Sequence, residues 1–488
     1  MQRYVQGENR DQIQMMNLEE RVSGDNPVRV IDAFVESLDM KKLGFTNAET
    51  KHTGRKPFDP KDMLKLYIYS YFNGIRSSRK IERECERNFE LMWLINSGQP
   101  HNKTISEFRR NNKKAIENMF KDFSMLCDQL GLIGKEIIAI DGSKFRACNS
   151  RRKNFTKNKV KKMIEHYETT AKQYLELLED SDKKEENENV KITKENLQEK
   201  LEEAQKRIEE LKKMAEEIEE NGEISVTDKD AKHMSVSNNG TDISHNVQTA
   251  VDSKHHLVVA IDVVSNPADQ GQLFNMAKTA AEELGIKLKE ENEDESYEFT
   301  VVADKGYYEA ENLKNCLNSG IQTIVSKQKS PNIAGNEKYT ADNFKYDKEK
   351  DVYICPDGYE LKNVSKESTL NKVYKNKEAC KNCPNKDQCH KSPLGRRLHR
   401  NSNHEIYDKV NKMTIDNMDI YKKRQQIVEH PFGTIKRTLG FTYFLTRGNQ
   451  SVRAESFMHF FTYNFKRVIN IIGVKELIKH LNTIIFFN

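Results

Sequence analysis

Apolar residues repeat at helical spacing in three segments of the first 130 residues. The first helix is predicted to start at Pro60, behind the capping residue Asp59. A second should begin after Ser77 or Ser78, and a third at Thr104, where a glutamate three residues later completes a capping box. The apolar stripes of the three helices comprise Leu64, Tyr67, Ile68, Tyr71, Ile81, Cys85, Phe89, Phe108, Ile116, Phe120, Phe123 and Leu126.

Basic residues follow the start of the third predicted helix. They are Arg109, Arg110, Lys113 and Lys114. Three helices with short connections and cations near the start of the last one are typical of a helix-turn-helix module that contacts DNA. A plain helical domain is the alternative, because each feature also occurs without DNA binding.

The pattern changes after residue 135 to short apolar runs that predict buried strands. The predicted strands cover residues 136–141, 244–252, 256–264, 299–304 and 321–325, and a helix is predicted over 270–284. Strands mixed with helices in this order indicate a mixed α/β sheet of the ribonuclease H type. Asp141 and Asp304 stand at the ends of two of these strands.

Residues 156–220 contain two stretches in which apolar positions alternate steps of four and three. An acidic link over 179–188 separates the stretches. Each stretch offers an apolar seam to the other, which predicts an antiparallel helical hairpin inserted after the first strand. A dimeric coiled coil is the competing interpretation, because a heptad pattern does not identify its partner. The seams comprise Val160, Ile164, Tyr167, Ala171, Tyr174, Leu178, Leu197, Leu201, Ala204, Ile208, Leu211, Ala215 and Ile218.

A second insertion, over residues 327–414, is polar and contains four of the eight cysteines: Cys355, Cys380, Cys383 and Cys389. Thiolates with this kind of spacing can bind one structural Zn²⁺ ion in a tetrahedron. The metal would stabilise a polar segment that has few apolar anchors. Four reduced cysteines in a small core are the alternative, and His390 or His399 could replace one sulfur ligand.

Composition argues against a disordered chain and against a membrane protein. Charged residues make up 32% of the 488 positions and hydrophobic residues 36%, and no stretch is long and apolar enough to span a bilayer. The start of the chain lacks the pattern of a signal peptide, so we expect a cytoplasmic protein without a membrane segment. The net charge is only +5, but basic residues cluster at Arg151, Arg152 and the lysines that follow, as expected of a nucleic-acid-binding surface.

The candidate chemistry depends on three acids. Asp141 and Asp304 each follow an apolar strand, and Glu429 lies in a predicted helix that also carries Tyr421 and Lys436. On a regular helix these last three residues would share one face. Any one acid alone is more often a turn former or a solvated charge. Together they are the hard oxygen ligands that two Mg²⁺ ions need for phosphodiester chemistry.

The helix that carries Glu429 has a weak point just beyond it. Pro431 and Gly433 interrupt its pattern and predict a kink.

At these residues the sequence resembles insertion-sequence transposases with a DDE catalytic triad, of the IS4/IS5-like superfamily and closest to its IS1182-type members. Residues 55–60 (RKPFDP), 73–79 (NGIRSSR) and 104–109 (TISEFR) are similar to the family's N-terminal domain. Residues 140–144 (IDGSK), 302–307 (VADKGY) and 428–433 (VEHPFG) resemble its three catalytic motifs. The segments 227–231 (TDKDA) and 246–248 (NVQ) also resemble family motifs, without an evident role.

The resemblance implies a mechanism and partners. Asp141, Asp304 and Glu429 would hold two Mg²⁺ ions, for which Mn²⁺ can substitute. The enzyme would cut DNA at the terminal inverted repeats and join the 3′ ends to target DNA, as a homodimer in the DNA complex and associated with the bacterial nucleoid. Tyr421, Arg424 and Lys436 match a signature around the last acid, although Arg424 lies one residue further from Glu429 than is common. Lys436 is therefore the better candidate for a phosphate contact.

Two other functions remain open from the sequence. One is a metal-dependent nuclease with the same fold and no joining activity. The other is a transposase-derived DNA-binding protein that no longer catalyses, which the presence of all three acids disfavours.

The expected fold is thus a ribonuclease H-like α/β core with an all-α DNA-binding domain and two insertions. The expected boundaries are 1–130 for the helical DNA-binding region, 135–326 for the first part of the core with its 156–220 hairpin, 327–414 for the cysteine-containing subdomain, 415–470 for the second part of the core, and 471–488 for a helical tail.

Overall fold

The computed structural model describes residue 11 and residues 17–49, 56–182, 188–236, 240–289, 296–327, 335–366 and 371–483. Its helices are α1 (Leu18–Arg21), α2 (Pro27–Ser37), α3 (Met40–Leu43), α4 (Pro60–Phe72), α5 (Ser78–Arg87), α6 (Phe89–Leu94), α7 (Asn102–Asn111), α8 (Lys113–Gln129), α9 (Lys157–Asp182), α10 (Glu188–Asn221), α11 (Leu273–Glu283), α12 (Ala310–Asn318), α13 (Lys377–Lys381), α14 (Lys386–Cys389), α15 (His404–Asp416), α16 (Met418–Gly433), α17 (Asn449–Ile472) and α18 (Val474–Thr483).

Its strands are β1 (Ile137–Arg146), β2 (Asn154–Thr156), β3 (Glu223–Ser225), β4 (Lys232–Val236), β5 (Gly240–Asp252), β6 (Val258–Val264), β7 (Phe299–Ala303), β8 (Ile321–Val325), β9 (Lys345–Asp347), β10 (Val352–Ile354), β11 (Glu360–Asn363), β12 (Asn371–Lys375) and β13 (Arg397–Asn401). A π-helical segment, Thr434–Thr438, follows α16 directly.

The N-terminal helices begin where their capping residues predict, with one exception. The Asp59 carboxylate accepts a hydrogen bond from the Lys61 amide at 2.8 Å and caps α4, and α5 begins after Ser77. The predicted third helix is instead two helices, and the start at Thr104 was wrong because His101 caps α7.

The break between α7 and α8 falls at Asn112. Its side chain is buried, donates to the Phe108 carbonyl oxygen at 2.8 Å and accepts from the Thr46 amide at 2.7 Å. An asparagine side chain that bonds to nearby backbone in this way competes with continuation of the helix. The apolar stripe of the sequence could not reveal this break, because the stripe continues across it.

A six-stranded mixed sheet forms the centre of the molecule. Strands β1, β7 and β8 are parallel neighbours, and β5 runs antiparallel to β1 on the other side. The first half of β5 pairs with β4 and its second half with β6, both antiparallel. The five predicted strands are therefore present, and β4 is an additional strand that its mixed polar sequence did not indicate. The protein is a mixed α/β protein.

Helix α17 joins the N-terminal helices to the sheet. It packs against α4 and α8 on one side and against β6 on the other. Phe461 lies 5.0 Å from Phe123 and 5.5 Å from Phe34, measured between ring centroids. The Asn464 side chain donates to the Val258 carbonyl oxygen at 2.8 Å and accepts from its amide at 2.9 Å. One continuous hydrophobic core therefore includes both regions.

Helices α9 and α10 pack against each other as the two arms of a hairpin. The seam residues Val160, Leu211 and Ile218 form one buried cluster, and Ala171, Leu201 and Ala204 form another. The short strands β2 and β3 pair at the base of the arms. Much of the predicted acidic link falls outside the described residues. The apolar seams thus find partners within the same chain.

The cysteine-containing insertion has a sheet of its own. Strands β9 to β13 form a five-stranded antiparallel sheet, and Tyr339, Phe344, Tyr353, Leu361 and Tyr374 are buried in a separate core. The Asp351 carboxylate accepts hydrogen bonds from two tyrosine hydroxyls within that sheet. The expectation of few apolar anchors was therefore wrong, because aromatic side chains supply a core that a count of aliphatic residues overlooks.

Within the described residues, the structure contains no helix that is long and apolar enough to cross a membrane.

Candidate active site

The sheet brings Asp141 and Asp304 side by side. Strands β1 and β7 are parallel, and Ile140 is paired with Ala303. Asp141 and Asp304 are the residues that follow this pair, so they occupy neighbouring positions about 4.8 Å apart along the hydrogen-bonding direction. Strand β1 continues to Arg146, so the expectation that Asp141 ends its strand was wrong, whereas Asp304 directly follows the end of β7. The two carboxylates are far apart in sequence and become neighbours only through this parallel register.

Arg424 lies against this carboxylate pair. Its guanidinium is 3.5 Å from the Asp304 carboxylate and is largely buried, whereas Asp304 is partly exposed. Burial raises the pKa of Asp141 to about 6, the positive charge of Arg424 opposes that rise, and the charges of Asp269 and Asp304 add to it. The site therefore concentrates negative charge, which the guanidinium of Arg424 partly offsets.

Glu429 lies on the same helix as Arg424. Helix α16 packs against β1, β5 and β7, and Glu429 is exposed five residues beyond Arg424, a rise of about 7.5 Å. Its carboxylate accepts a hydrogen bond from Gln425 at 2.8 Å. Within the described part of the chain, no three side chains of His, Cys, Asp or Glu are arranged closely enough to hold a metal ion.

The helix does not stay regular beyond Glu429. Pro431 lies inside α16, and the backbone widens into the π-helical segment from Thr434. Proline removes one backbone donor, and a π segment adds a residue to the turn. The irregularity predicted from Pro431 and Gly433 is therefore present, and the common face that a regular helix would give Tyr421, Glu429 and Lys436 does not apply.

Lys436 is turned towards β1. Its ammonium donates to the Ser143 hydroxyl at 2.6 Å and to the Lys144 carbonyl oxygen at 2.9 Å, and lies 4.3 Å from the centre of the Phe145 ring. Burial and the nearby charge of Lys144 lower the pKa of Lys436 to about 8, against the opposing effect of Asp141. Lys436 thus lies beside the strand that carries the first acid.

Tyr421 belongs to the same group of side chains. The Arg424 guanidinium carbon lies 5.8 Å from the centre of its ring. Tyr421, Arg424 and Lys436 therefore all lie on the α16 side of the carboxylate pair. The spacing from Arg424 to Glu429 is still one residue longer than is common in the family.

A polar cluster centred on Asp269, which the sequence pattern did not indicate, lies against the backbone of Gly142. The Asp269 carboxylate accepts hydrogen bonds through Oδ1 from Lys144, Asn246 and Gln248, at 3.0, 2.8 and 2.9 Å. The NVQ motif at 246–248 thus contributes two of these three donors. Strand pairing could have indicated the contact, because Gly142 is opposite Gln248 and Lys144 is opposite Asn246.

The TDKDA motif at 227–231 has a structural role. The carboxylates of Asp228 and Asp230 accept hydrogen bonds from the amides of Gly448 and Asn449, at 3.1 and 2.7 Å. Acidic side chains are favourable partners for the free amides at a helix start. The motif therefore holds the N-terminus of α17, and Asp230 faces that helix.

The basic residues expected to bind DNA differ in their exposure. Arg109 is turned inward and donates to the Tyr71 hydroxyl at 3.3 Å. Arg110 and Lys114 are exposed and pair with Glu107 and Glu117 one turn away. Lys113 is partly buried, Arg152 is exposed, and the Arg151 side chain is outside the described residues.

The four cysteines of the insertion surround one small cavity. The Cys355 sulfur accepts a hydrogen bond from the Tyr359 amide at 3.3 Å. Burial raises the pKa of Cys389 to about 11, and the charges of Cys380, Cys355 and Cys383 raise it further against the effect of Arg396. His390 lines the same cavity and is buried, and neither ring nitrogen has a hydrogen-bond partner. His399 lies on β13, outside this cavity lining.

Comparison with known families identifies the class of protein. Residues 16–111 match the transposase domain DUF772, and residues 354–469 match the transposase DDE domain. The chain is therefore a DDE transposase, an enzyme that acts on DNA. The pair of domains further identifies it as a member of the insertion-sequence DDE transposases, and the IS1182-type assignment fits that pair. The matched residues include Glu429, whereas Asp141 and Asp304 precede the second match.

Other comparisons add little. No curated protein matches this chain in sequence. A structural search aligns 94% of it with 79% of a chain from the cryo-EM structure of a piggyBac transposase synaptic complex with hairpin DNA, at a TM-score of 0.31 and 7% sequence identity. A likeness this low carries no argument about the fold.

Proposed function

We propose that the protein cleaves DNA at the terminal inverted repeats of an insertion sequence and joins the cut ends to target DNA, with Asp141, Asp304 and Glu429 as the catalytic acids. The observation that carries the proposal is the placement of Asp141 and Asp304 just beyond the last residue pair of the parallel strands β1 and β7, under the helix that bears Glu429. The sheet order β6-β5-β1-β7-β8, with β5 and β6 antiparallel to their neighbours, supports a ribonuclease H-like core with the boundaries expected from the sequence.

The donor set fits two hard divalent cations, Mg²⁺ with Mn²⁺ as a substitute. Asp141 and Asp304 already form a carboxylate pair, and Arg424 offsets their charge. Glu429 would complete the set by giving up its hydrogen bond with Gln425. Bound in this way, the cations would supply activation of the attacking oxygen and stabilisation of charge on the leaving oxygen.

The remaining residues of the site have roles in binding and orientation. Arg424 and Tyr421 would contact the DNA strand that enters beside Asp304, and Lys436 would approach its phosphates from the β1 side. The exposed Arg110, Lys114 and Arg152 would add salt-dependent affinity for the duplex, and the N-terminal helices would read the terminal repeats. Two element ends must be held together for joining, which favours a homodimer in the DNA complex.

The test uses the full-length protein and a supercoiled plasmid that carries the two ends of its own element. Asp141→Asn, Asp304→Asn and Glu429→Gln should each reduce cleavage at least about a hundredfold, since each removes several kcal/mol of transition-state stabilisation. Glu216→Gln is the matched control, because Glu216 is exposed on α10. Cleavage without joined product would instead identify a nuclease, and DNA binding without cleavage would identify a protein that only binds DNA.

We further propose that Cys355, Cys380, Cys383 and Cys389 bind a structural Zn²⁺ ion, with His390 as an alternative ligand. The support is the shared cavity, the amide hydrogen bond to the Cys355 sulfur and the buried His390 without a partner. Soft thiolates select zinc, whereas the catalytic carboxylates select magnesium. Rotations of the side chains would be needed to form the tetrahedron, because no three of these ligands are arranged closely enough in the described residues.

Elemental analysis of the purified protein tests the zinc proposal. The wild-type protein should contain about one zinc per chain, and Cys380→Ser should lose it, because three sulfurs bind zinc more weakly than four. Cys316→Ser is the control, since Cys316 is buried in the main core. A wild-type protein without zinc would show that the cysteines are a reduced cluster.

A further inference from the structure

Asp269 is fixed by an unusual number of hydrogen bonds for a residue in a loop. It lies between β6 and α11, and its Oδ1 atom accepts from Lys144 on β1 and from Asn246 and Gln248 on β5. Its side chain is about one quarter exposed (24%). Three donors on one carboxylate oxygen hold the side chain in one orientation.

Gly142, next to Asp141, makes room for this cluster. A Cβ atom at position 142 would lie 2.2 Å from the Gln248 amide nitrogen and 2.6 Å from the Asp269 Oδ1 atom. Any side chain at this position would therefore displace the cluster. The absence of a side chain allows the Asp269 cluster to lie directly against the backbone that carries Asp141.

The same cluster reaches the segment that carries Asp304. The buried Tyr307 hydroxyl donates a hydrogen bond to the Gln248 side-chain oxygen, while the Gln248 amide group donates to Asp269. Tyr307 ends the short 3-10 turn that begins just after Asp304. Gln248 therefore connects Asp269 to the backbone next to each of the two acids.

We propose that Asp269 is a positioning residue that fixes the spacing between Asp141 and Asp304 through Gln248, and so determines how tightly the acid pair binds divalent metal. This inference rests on the proposed function, because it requires those acids to be the metal ligands. Asp269 acts on the surroundings of both acids. Its hydrogen bond with Lys144 holds β1, and its hydrogen bond with Gln248, which accepts from Tyr307, holds the segment that follows β7. Misplacement of a ligand by a fraction of an ångström lowers metal affinity.

The experiment measures Mn²⁺ binding to the full-length protein without DNA, from the electron paramagnetic resonance signal of free Mn²⁺. Asp269→Asn and Gln248→Leu should each weaken binding about tenfold, as other residues that orient metal ligands do. The double variant should be no weaker than either single variant, because both act through one connection. Glu282→Gln is the matched control on the helix that follows Asp269, since its side chain is exposed.

Cleavage kinetics supply a second measurement. Asp269→Asn should lower kcat at limiting Mn²⁺, recover most of it at high Mn²⁺, and leave the KM for DNA unchanged, which a general loss of folding would not do. If Asp269→Asn does not fold, Gln248→Leu alone carries the prediction, because it retains the charge of Asp269.

Distinct outcomes would overturn the two proposals. Wild-type affinity for Mn²⁺ in the Asp269→Asn and Gln248→Leu variants, or strictly additive effects in the double variant, would overturn the positioning role alone. Complete loss of binding in Asp269→Asn, matching Asp141→Asn, would make Asp269 a ligand and also overturn it. A wild-type protein that neither binds Mn²⁺ nor cleaves DNA would overturn the proposed function and this inference with it.

Discussion

Glu455 is a fully buried acid whose charged form is stabilised by neighbouring hydrogen-bond donors and basic groups. It accepts hydrogen bonds from the amides of Leu445 and Thr446 and lies 3.9 Å from Arg76 and 3.7 Å from His459. Burial opposes its ionisation, but His459, Arg109 and Thr446 lower its pKa to about 2. This charge connects the loop between α4 and α5, which carries Arg76, to α17.

Replacement of Glu455 should destabilise the protein strongly. Glu455→Gln keeps the shape but removes the charge that balances Arg76, so we expect a loss of about 3 kcal/mol in the free energy of unfolding, measured in urea. Glu476→Gln is the control, because Glu476 forms an exposed ion pair with Lys479 at 2.8 Å. Equal stability of the two variants would contradict a structural role for the buried charge.

The cost of this substitution should depend on pH. The pKa of Glu455 is lowered in the folded protein, so its contribution is present above its ordinary pKa of 4.5 and is lost as the pH falls towards 2. The difference in unfolding free energy between wild type and Glu455→Gln should therefore shrink below about pH 4.5. A difference that stays constant between pH 7 and pH 3 would disagree with an ionised Glu455.

Among the secondary-structure elements, the α9–α10 hairpin shows how a sequence pattern and a fold can agree. Its apolar spacing predicts two helices with facing seams, and those seams pack against each other. The pattern was sufficient because the contacts join apolar residues that recur at a regular spacing along both helices. The break between α7 and α8 was missed for the opposite reason, since it depends on hydrogen bonds of the single residue Asn112 to Phe108 and to a distant loop.

The hairpin should unfold without the core when its seam is weakened. Leu211 is fully buried between the two helices, and Leu211→Ala should cost about 2 to 5 kcal/mol. Hydrogen exchange should quicken throughout α9 and α10 and stay slow in β1 and β5. Lys212→Ala is the control, because its side chain is largely exposed. Faster exchange in the central sheet as well would show that the hairpin and core fold as one unit.

At the scale of the whole molecule, α17 has two structural partners. The N-terminal helices contribute Phe34 and Phe123 to its one side, and β6 meets its other side at Asn464. The DNA-binding region proposed from the sequence therefore shares a core with the proposed catalytic sheet. Continuous packing, and not a linker, therefore joins the two regions.

Shared packing predicts joint destabilisation. Phe461 is fully buried, and Phe461→Ala should cost about 3 to 5 kcal/mol. Because Phe461 packs on the N-terminal helices and its helix α17 also packs on β6, exchange protection should fall together in α2, α8 and β6, and thermal unfolding of the core should remain one transition. Phe89→Ala is the control, since Phe89 is 43% exposed. Loss of protection confined to the N-terminal helices would indicate two independent domains.

The sequence by itself determined the class of elements, the transposase family and the three candidate acids. Periodicity and the motifs around Asp141, Asp304 and Glu429 are local, so they can be read from neighbouring residues. Only the tertiary structure decided which side chains meet. It placed Arg424 against Asp304, turned Lys436 towards β1 and gathered Asn246 and Gln248 around Asp269. These contacts depend on strand register, on the π segment and on one missing side chain at Gly142, and none of these leaves a repeating pattern in the sequence.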